Sequence, residues 1–158
     1  MKKILFLCTG NSCRSIMAEA LLAHHGGEHF LSRSAGSFPT GKVHPLSLAM
    51  LKARGIPTSG YRSKSWDEFA GQPMDIVITV CDAAAGESCP LFPGKPIKTH
   101  WGVPDPAKFQ GTDEETRAEF SRVCDILEKR IRALIRLPVD KMDDNELQQK
   151  LRTIGEMV

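Results

Sequence analysis

The stretch that decides the fold is a short apolar run, a polar loop and the start of a helical pattern: Ile4-Leu5-Phe6-Leu7-Cys8-Thr9-Gly10-Asn11-Ser12-Cys13-Arg14-Ser15. Consecutive apolar residues are typical of a strand that is buried on both faces of a parallel sheet. Glycine and asparagine then suit a turn with positive φ, and apolar residues recur at helical spacing after Arg14. The pattern predicts a strand over residues 3–8, a loop, and a helix over residues 15–25.

The residue types in the loop indicate a site for a tetrahedral oxyanion beside a sulfur nucleophile. Amide groups of a tight loop that leads into a helix N-terminus converge on one point and hold an anion there. Arg14 adds a planar guanidinium that can pair with two oxygens, and Ser15 can donate a hydrogen bond to Cys8. Nearby cations and helix N-termini favour a thiolate, so we expect Cys8 to be a nucleophile. The predicted anion-binding residues are Thr9, Gly10, Asn11, Ser12, Cys13, Arg14 and Ser15.

The rest of the chain alternates strand and helix patterns. Further strands are predicted over residues 29–34, 74–80 and 95–99, and helices over residues 45–54, 66–69 and 112–137. Thr112 and Glu115 have the spacing of a capping box at the start of the longest helix. The alternation predicts a single α/β domain with a parallel sheet and helices on both faces.

The C-terminal residues have a different composition from the rest of the chain. We place the main domain at residues 1–138 and a C-terminal extension at residues 139–158, beginning after Pro138. The extension is more polar, yet Leu147, Leu151 and Ile154 recur at helical spacing. A docked amphipathic helix is favoured over a loose tail.

Length, charge and cysteine content exclude several classes of protein. The chain has 158 residues and a net charge of +2, which suits one domain and gives no reason to expect nucleic-acid binding. No apolar run approaches the roughly 20 residues that span a bilayer, and the N-terminus is too short for a signal peptide. We therefore expect a cytoplasmic protein without a membrane partner. Five cysteines are an odd number, which favours reactive thiols over a disulfide framework.

A second cysteine cluster follows the third predicted strand. Cys81 comes directly after that strand, as Cys8 lies at the end of the first, and the ends of neighbouring parallel strands meet at one edge of a sheet. Cys89 lies on a small, polar, glycine-containing segment. Two interpretations remain open: a reactive set of thiols, or a core cysteine and an unrelated loop cysteine. Cys13 and Cys124 are interpreted as structural residues, and no Cys/His spacing predicts a zinc site.

A proline-flanked loop carries a candidate acid. The loop reads Thr99-His100-Trp101-Gly102-Val103-Pro104-Asp105-Pro106, and its prolines restrict the backbone. An acid beside a bound oxyanion can protonate a leaving oxygen. The alternative is that Asp105 only forms a turn.

The spacing Cys-(five residues)-Arg-Ser after a strand resembles the phosphate loop of the low-molecular-weight protein tyrosine phosphatases and of the arsenate reductases that share their fold. The alternative is a buried structural cysteine beside a helix-capping loop. The resemblance covers about residues 3–137 and implies a four-stranded parallel sheet in the order 2-1-3-4. Asp105-Pro106 resembles the general acid of the phosphatases, and the Trp101-Gly102 pair resembles the arsenate reductase version of that loop.

The additional cysteines resemble those of the thioredoxin-coupled arsenate reductases. That resemblance implies that Cys8 attacks arsenate held by Arg14, that Cys81 attacks Cys8 with release of arsenite, and that Cys89 then attacks Cys81. It implies no tightly bound cofactor and an external thiol reductant, either thioredoxin or else glutaredoxin or glutathione.

Two other functions remain as alternatives. One is a protein tyrosine or phosphomonoester phosphatase, and the other is a non-catalytic anion-binding protein. Tyrosine phosphatases of this family carry tyrosines after the Asp-Pro pair, whereas Ala107 and Lys108 follow it here and Tyr61 is the single tyrosine of the chain. A small inorganic oxyanion needs no aromatic wall, so arsenate reduction is favoured.

The resemblance also implies a cation site. In some related reductases a loop asparagine, a glutamate of the first helix and a serine near the second strand surround a potassium ion. Asn11, Glu19 and Ser34 match these positions. The alternative is that Asn11 only holds the turn of the loop and that Glu19 and Ser34 make local hydrogen bonds.

Overall fold

The structure, a computed structural model, describes residues 1–81 and 92–158. The strands are β1 (Lys2–Leu7), β2 (Phe30–Ala35), β3 (Ile76–Thr79) and β4 (Ile97–His100), and the α-helices are α1 (Arg14–Gly26), α2 (Pro45–Ala53), α3 (Asp113–Ile135) and α4 (Asp144–Ile154). The strands form one sheet in the order β2-β1-β3-β4, and every pair is parallel. The predicted α/β fold and strand order are confirmed.

Two strands are shorter than predicted. The strand predicted over residues 95–99 begins at Ile97 instead, because Lys95 has a φ of 52° and a strand cannot continue through that conformation. The strand predicted over residues 74–80 is limited to Ile76–Thr79. Its flanks still follow β1, since Asp75 donates its backbone N–H to the carbonyl of Lys3.

The sheet is buried on both faces. Ile4 and Phe6 pack with the apolar sides of the α-helices, and both are fully buried. Leu5 and Leu7 point to the opposite face because side chains alternate along a strand, and they pack against Phe69 of a short 3-10 helix, Trp66–Phe69. Burial on both sides explains why β1 reads as a continuous apolar run.

Helix α3 is held by the predicted cap and by its apolar stripe. The Thr112 hydroxyl accepts from the Glu115 N–H, and the Glu115 carboxylate accepts from the Thr112 N–H. Cys124 lies fully buried within the stripe, where burial raises the pKa of its thiol to about 11. Its interpretation as a core residue is confirmed.

The C-terminal residues dock on the domain through α4. Asp143 caps this helix by accepting a hydrogen bond from the N–H of Glu146. The apolar positions Leu147, Leu151 and Ile154 are buried in the main core, and α4 lies against β4 and α3. No helix in the described part of the chain is long and apolar enough to cross a membrane.

Candidate active site

The loop between β1 and α1 is shaped by hydrogen bonds to its carbonyl groups. The carbonyls of Thr9, Gly10 and Ser12 all point outward and accept from a later part of the chain. Their donors are the N–H groups of Phe38 at 2.9 Å, Thr40 at 3.0 Å and His44 at 3.1 Å, and the hydroxyls of Ser47 at 3.2 Å and Ser63 at 2.9 Å. A C=O and the following N–H point in opposite directions in a trans peptide. The amides that follow these carbonyls therefore turn toward the centre of the loop, where an anion would bind.

The strained turn of the loop is held by Asn11. Its φ is 46°, a conformation that asparagine tolerates better than most residues. The side chain is fully buried. Its Oδ1 accepts from the backbone N–H of Lys64 at 2.9 Å, and its Nδ2 donates to Ser15 Oγ at 2.8 Å and to Ser34 Oγ at 2.9 Å. This side chain thus ties the loop to β2, to α1 and to the segment before residue 65.

Gly36 allows the loop to lie directly against the end of β2. A Cβ at this position would come within 2.4 Å of the carbonyl oxygen of Thr9 and 2.8 Å of that of Cys8. Real side chains do not make such contacts, so glycine is required here. Gly36 also donates its N–H to the Lys64 carbonyl at 2.9 Å and accepts from Trp66. The sequence pattern does not single out Gly36, because these contacts depend on the tertiary fold.

Cys8 lies at the base of the loop, directly after β1, and is 3% exposed. The Ser15 hydroxyl donates to its Sγ at 3.2 Å, and the thiol of Cys81 lies close enough to interact with it. That interaction and burial raise the pKa of Cys8 well above its usual value, whereas Ser15 and the charge of Arg14 act in the opposite direction. The expected stabilisation of the thiolate by Arg14 is therefore outweighed by the second thiol and by desolvation.

Cys81 lies beside Cys8, as expected from the adjacent ends of β1 and β3. It is 3% exposed, and its Sγ is 3.6 Å from the hydroxyl oxygen of Thr9. Neither cysteine forms a disulfide with another residue of the described ranges. Cys89, the third predicted redox residue, lies outside the described residues. Cys13 is the N-cap residue of α1 and is buried, and its burial raises the pKa of the thiol.

Arg14 joins the loop to the predicted acid. Its guanidinium donates to the carbonyl of Val103 at 3.1 Å and forms an ion pair with Asp105 at 3.4 Å. Its Nε is buried without a hydrogen-bond partner among residues 1–81 and 92–158. A buried donor of this kind is costly unless a ligand satisfies it. Asp105 is in turn held by the N–H of Ala107, which donates to its Oδ1 at 3.0 Å.

These groups open into one cavity of about 390 Å³. Cys8, Arg14 and Asp105 line it, together with Thr40 and residues 42–45. The first turn of α1 carries no acidic side chain, so no resident carboxylate of that turn competes for its amides. None of the described residues that line the cavity is a Phe, Tyr or Trp. The cavity suits a small tetrahedral anion beside a nucleophilic sulfur.

A buried polar cluster lies behind the loop and includes the three residues matched to a cation site. The Ser34 hydroxyl donates to Glu19 Oε1 at 2.5 Å and accepts from Asn11. Lys64 enters the same cluster, with its Nζ 3.7 Å from Glu19 Oε1 and 3.4 Å from Ser34 Oγ. Lys64 was missed in the sequence analysis because no local pattern surrounds it, and only the tertiary fold brings it to α1.

Comparison with known proteins agrees with this geometry. The sequence profile of the low molecular weight phosphotyrosine protein phosphatase family matches residues 3–152. The arsenate reductase of Halalkalibacterium halodurans is 44% identical over 131 residues, which are 83% of this chain and 93% of that protein. A solved arsenate reductase in a phosphate-binding state is 30% identical with a TM-score of 0.69, covering 86% of this chain and 98% of its own. The thioredoxin-dependent arsenate reductase of Corynebacterium glutamicum is 31% identical with a TM-score of 0.57, covering 84% of this chain and 62% of its own. This chain belongs to the low molecular weight phosphotyrosine protein phosphatase family.

Proposed function

We propose that the protein is an arsenate reductase that works through successive cysteine thiols and is regenerated by thioredoxin. The observation that carries this proposal is the pair of buried thiols, Cys8 and Cys81, which directly follow the adjacent parallel strands β1 and β3 at the base of the anion-binding loop. Hydrolysis of a phosphate ester needs one nucleophilic sulfur and water. A second thiol in contact with the first is what reduction of the bound anion requires.

The first step forms a covalent adduct in the loop. Arsenate is held by the inward amides and by Arg14, whose buried Nε is a ready donor. The Cys8 sulfur attacks arsenic, an S–As bond forms, and one As–O bond breaks. Asp105 lies on the Arg14 side of the cavity and supplies a proton, so that the oxygen leaves as water.

The second step is the reduction. The Cys81 sulfur attacks Cys8, a disulfide forms between them, and the S–As bond breaks with its electron pair left on arsenic. Arsenic gains two electrons and becomes arsenite, while the two sulfurs together lose two. The contact between the thiols supports this step, because a sulfur nucleophile must lie within reach of the sulfur that it attacks.

The third step returns Cys8 to its thiol form. Cys89 attacks Cys81, the disulfide moves to Cys81 and Cys89, and the two thiols of thioredoxin then reduce it. The support for this step is the resemblance of the cysteine pattern and the similarity to a thioredoxin-dependent enzyme. Such a cycle requires a compartment in which thiols stay reduced, which is consistent with the cytoplasm.

The deciding experiment measures arsenate-dependent NADPH oxidation by wild-type protein. One assay contains thioredoxin and thioredoxin reductase, and a matched assay contains glutathione, glutaredoxin and glutathione reductase. We expect turnover in the first assay and its loss in Cys81→Ser. If wild-type protein consumed NADPH with arsenate in the glutathione assay but not in the thioredoxin assay, the thioredoxin part of the proposal would be contradicted. If it did so in neither assay, the proposed arsenate reduction itself would be contradicted.

Phosphate-ester hydrolysis is a second candidate, favoured by the Arg14–Asp105 pair beside Cys8. That pair suits protonation of an ester oxygen as well as of an arsenate oxygen. The single tyrosine, Tyr61, packs against the core rather than lining the cavity. A residual hydrolase activity toward small aryl phosphates is therefore expected, with arsenate reduction as the main activity.

A further inference from the structure

The buried cluster behind the loop does not offer the oxygen ligands that a potassium ion needs. A cation is bound by oxygen lone pairs, but the side-chain oxygen of Asn11 already accepts from the backbone N–H of Lys64 at 2.9 Å. A backbone amide can only donate, so this bond also fixes the orientation of the amide and turns the Nδ2 hydrogens toward Ser34 and Ser15. The Ser34 hydroxyl donates its proton to Glu19 Oε1, with 2.5 Å between the two oxygens. The cluster thus presents N–H donors where a metal would need oxygens.

A resident positive charge lies in the cluster instead. Lys64 and Glu19 are each 7% exposed, and the Lys64 ammonium is 3.7 Å from the Glu19 carboxylate. It also donates to Ser34 Oγ at 3.4 Å and to the carbonyl of Arg62 at 3.1 Å. A buried carboxylate without a countercharge is strongly destabilised. Lys64 provides that countercharge from the chain itself.

The cluster is connected to the nucleophile by hydrogen bonds whose directions are determined. Asn11 Nδ2 donates to Ser15 Oγ at 2.8 Å, so the Ser15 oxygen accepts there and its own proton is free to point elsewhere. That proton goes to Cys8 Sγ at 3.2 Å. The order Glu19, Ser34, Asn11, Ser15 and Cys8 therefore runs from a buried carboxylate to the reactive sulfur. Removal of the Lys64 charge beside Glu19 would therefore disturb the Ser15 hydroxyl that donates to Cys8.

We infer that Lys64 is a positioning residue that takes the place of a bound monovalent cation, so that the reactivity of Cys8 is independent of potassium. Lys64 holds Glu19, and through Ser34 and Asn11 it keeps the Ser15 hydroxyl aimed at the Cys8 sulfur. The inference rests on Cys8 being the nucleophile of the proposed function. It does not depend on which oxyanion Cys8 attacks, so the two proposals can fail separately.

The test measures the rate at which iodoacetamide alkylates Cys8, in a background with Cys81→Ala and Cys13→Ala. Potassium chloride is compared with choline chloride at equal ionic strength. The Lys64-containing protein should react at the same rate in both salts. Lys64→Met should react roughly 10-fold more slowly in choline, the order of effect seen when a supporting residue behind a site is removed. Potassium or ammonium ions should restore part of that rate, since the freed Glu19 carboxylate can then bind them.

Two further variants separate a positioning role from general destabilisation. Arg62→Ala removes an exposed cation two residues away that pairs with Glu68, and it should leave both the rate and the salt response unchanged. The double variant Glu19→Gln/Lys64→Met removes both buried charges with little change in volume. It should react faster than Lys64→Met and show no response to potassium.

Three results would overturn the inference. The first is faster alkylation of the Lys64-containing protein in potassium than in choline, and the second is an unchanged rate in Lys64→Met. If Lys64→Met does not fold, as judged by circular dichroism, the double variant decides alone. The third is then a double variant that folds but alkylates Cys8 faster in potassium chloride than in choline chloride.

Discussion

Trp101 donates its indole N–H to the backbone carbonyl of Leu151 at 2.9 Å, and both residues are fully buried. This bond joins the loop that carries Asp105 to helix α4. Arg130 strengthens the same junction, because its guanidinium donates to the carbonyl of Gly102 at 3.2 Å and to that of Met157 at 2.9 Å. The C-terminal residues thus pack against the loop that carries Asp105 and help to hold it in place.

Leu151→Ala should lower the free energy of unfolding by about 2–5 kcal/mol, the usual cost of removing a buried leucine side chain. The carbonyl that accepts from Trp101 is retained, so the loss measures packing of α4. Urea denaturation followed by circular dichroism checks this. Lys150→Ala, at an exposed neighbouring position, should change the value by less than about 0.5 kcal/mol. Equal stability of Leu151→Ala and wild type would show that α4 contributes little to the fold.

Cys8→Ser should abolish both arsenate reduction and hydrolysis of aryl phosphates, because Cys8 is the proposed nucleophile at the base of the anion-binding loop. The folded state should persist, since serine preserves the small side-chain volume. Turnover assays and thermal unfolding test the two parts. Cys124→Ala provides the matched control: it changes a buried cysteine of α3 away from the cavity, and activity should be retained. Normal turnover by Cys8→Ser would refute the assignment of the nucleophile.

Cys81→Ala should shift the ionisation of Cys8 to lower pH. The interaction with Cys81 is the largest cause of the raised pKa of Cys8, so removing it lowers that pKa and increases the thiolate fraction at any given pH below the wild-type midpoint. The pH dependence of iodoacetamide alkylation at Cys8, followed by mass spectrometry, measures the midpoint. An unchanged or higher midpoint would mean that burial alone determines the pKa.

Asp105→Asn should slow hydrolysis of esters with poor leaving groups by roughly 10²–10⁴-fold, the usual contribution of a general acid. Esters with good leaving groups need less protonation and should be slowed less. The comparison uses phenyl phosphate and 4-nitrophenyl phosphate under the same conditions. Equal slowing of the two esters would indicate that Asp105 acts only by holding Arg14.

Arsenate treatment without reductant should leave wild-type protein with a disulfide between Cys81 and Cys89. Cys89→Ser should stop after one turnover with Cys8 joined to Cys81, because the next thiol in the sequence is missing. Peptide mass mapping under non-reducing conditions identifies each bridge. If Cys81→Ser and Cys89→Ser both turned over arsenate at the wild-type rate with thioredoxin, reduction would have to occur directly at Cys8.

Local sequence determined the frame of the protein. Strand β1, the turn after it and the start of α1 depend on residues close together in the chain. Their structure could therefore be predicted without knowing the fold. The capping box of α3 depends on two residues three positions apart. The contact of Cys8 with Cys81 also followed, because parallel strands that lie side by side end at the same edge of the sheet.

The tertiary structure decided the chemistry of the loop. Its carbonyls accept from residues 38–63, Asn11 and Lys64 are bound across 53 positions of the chain, and Trp101 and Leu151 across 50. No local pattern encodes such contacts, since they depend on the path of the whole chain. The ionisation of Cys8 shows the consequence: Arg14, six positions along the loop, predicts a lower pKa, but the buried thiol of Cys81 raises it. Electrostatic energies depend on distance and burial, and only the folded chain determines both.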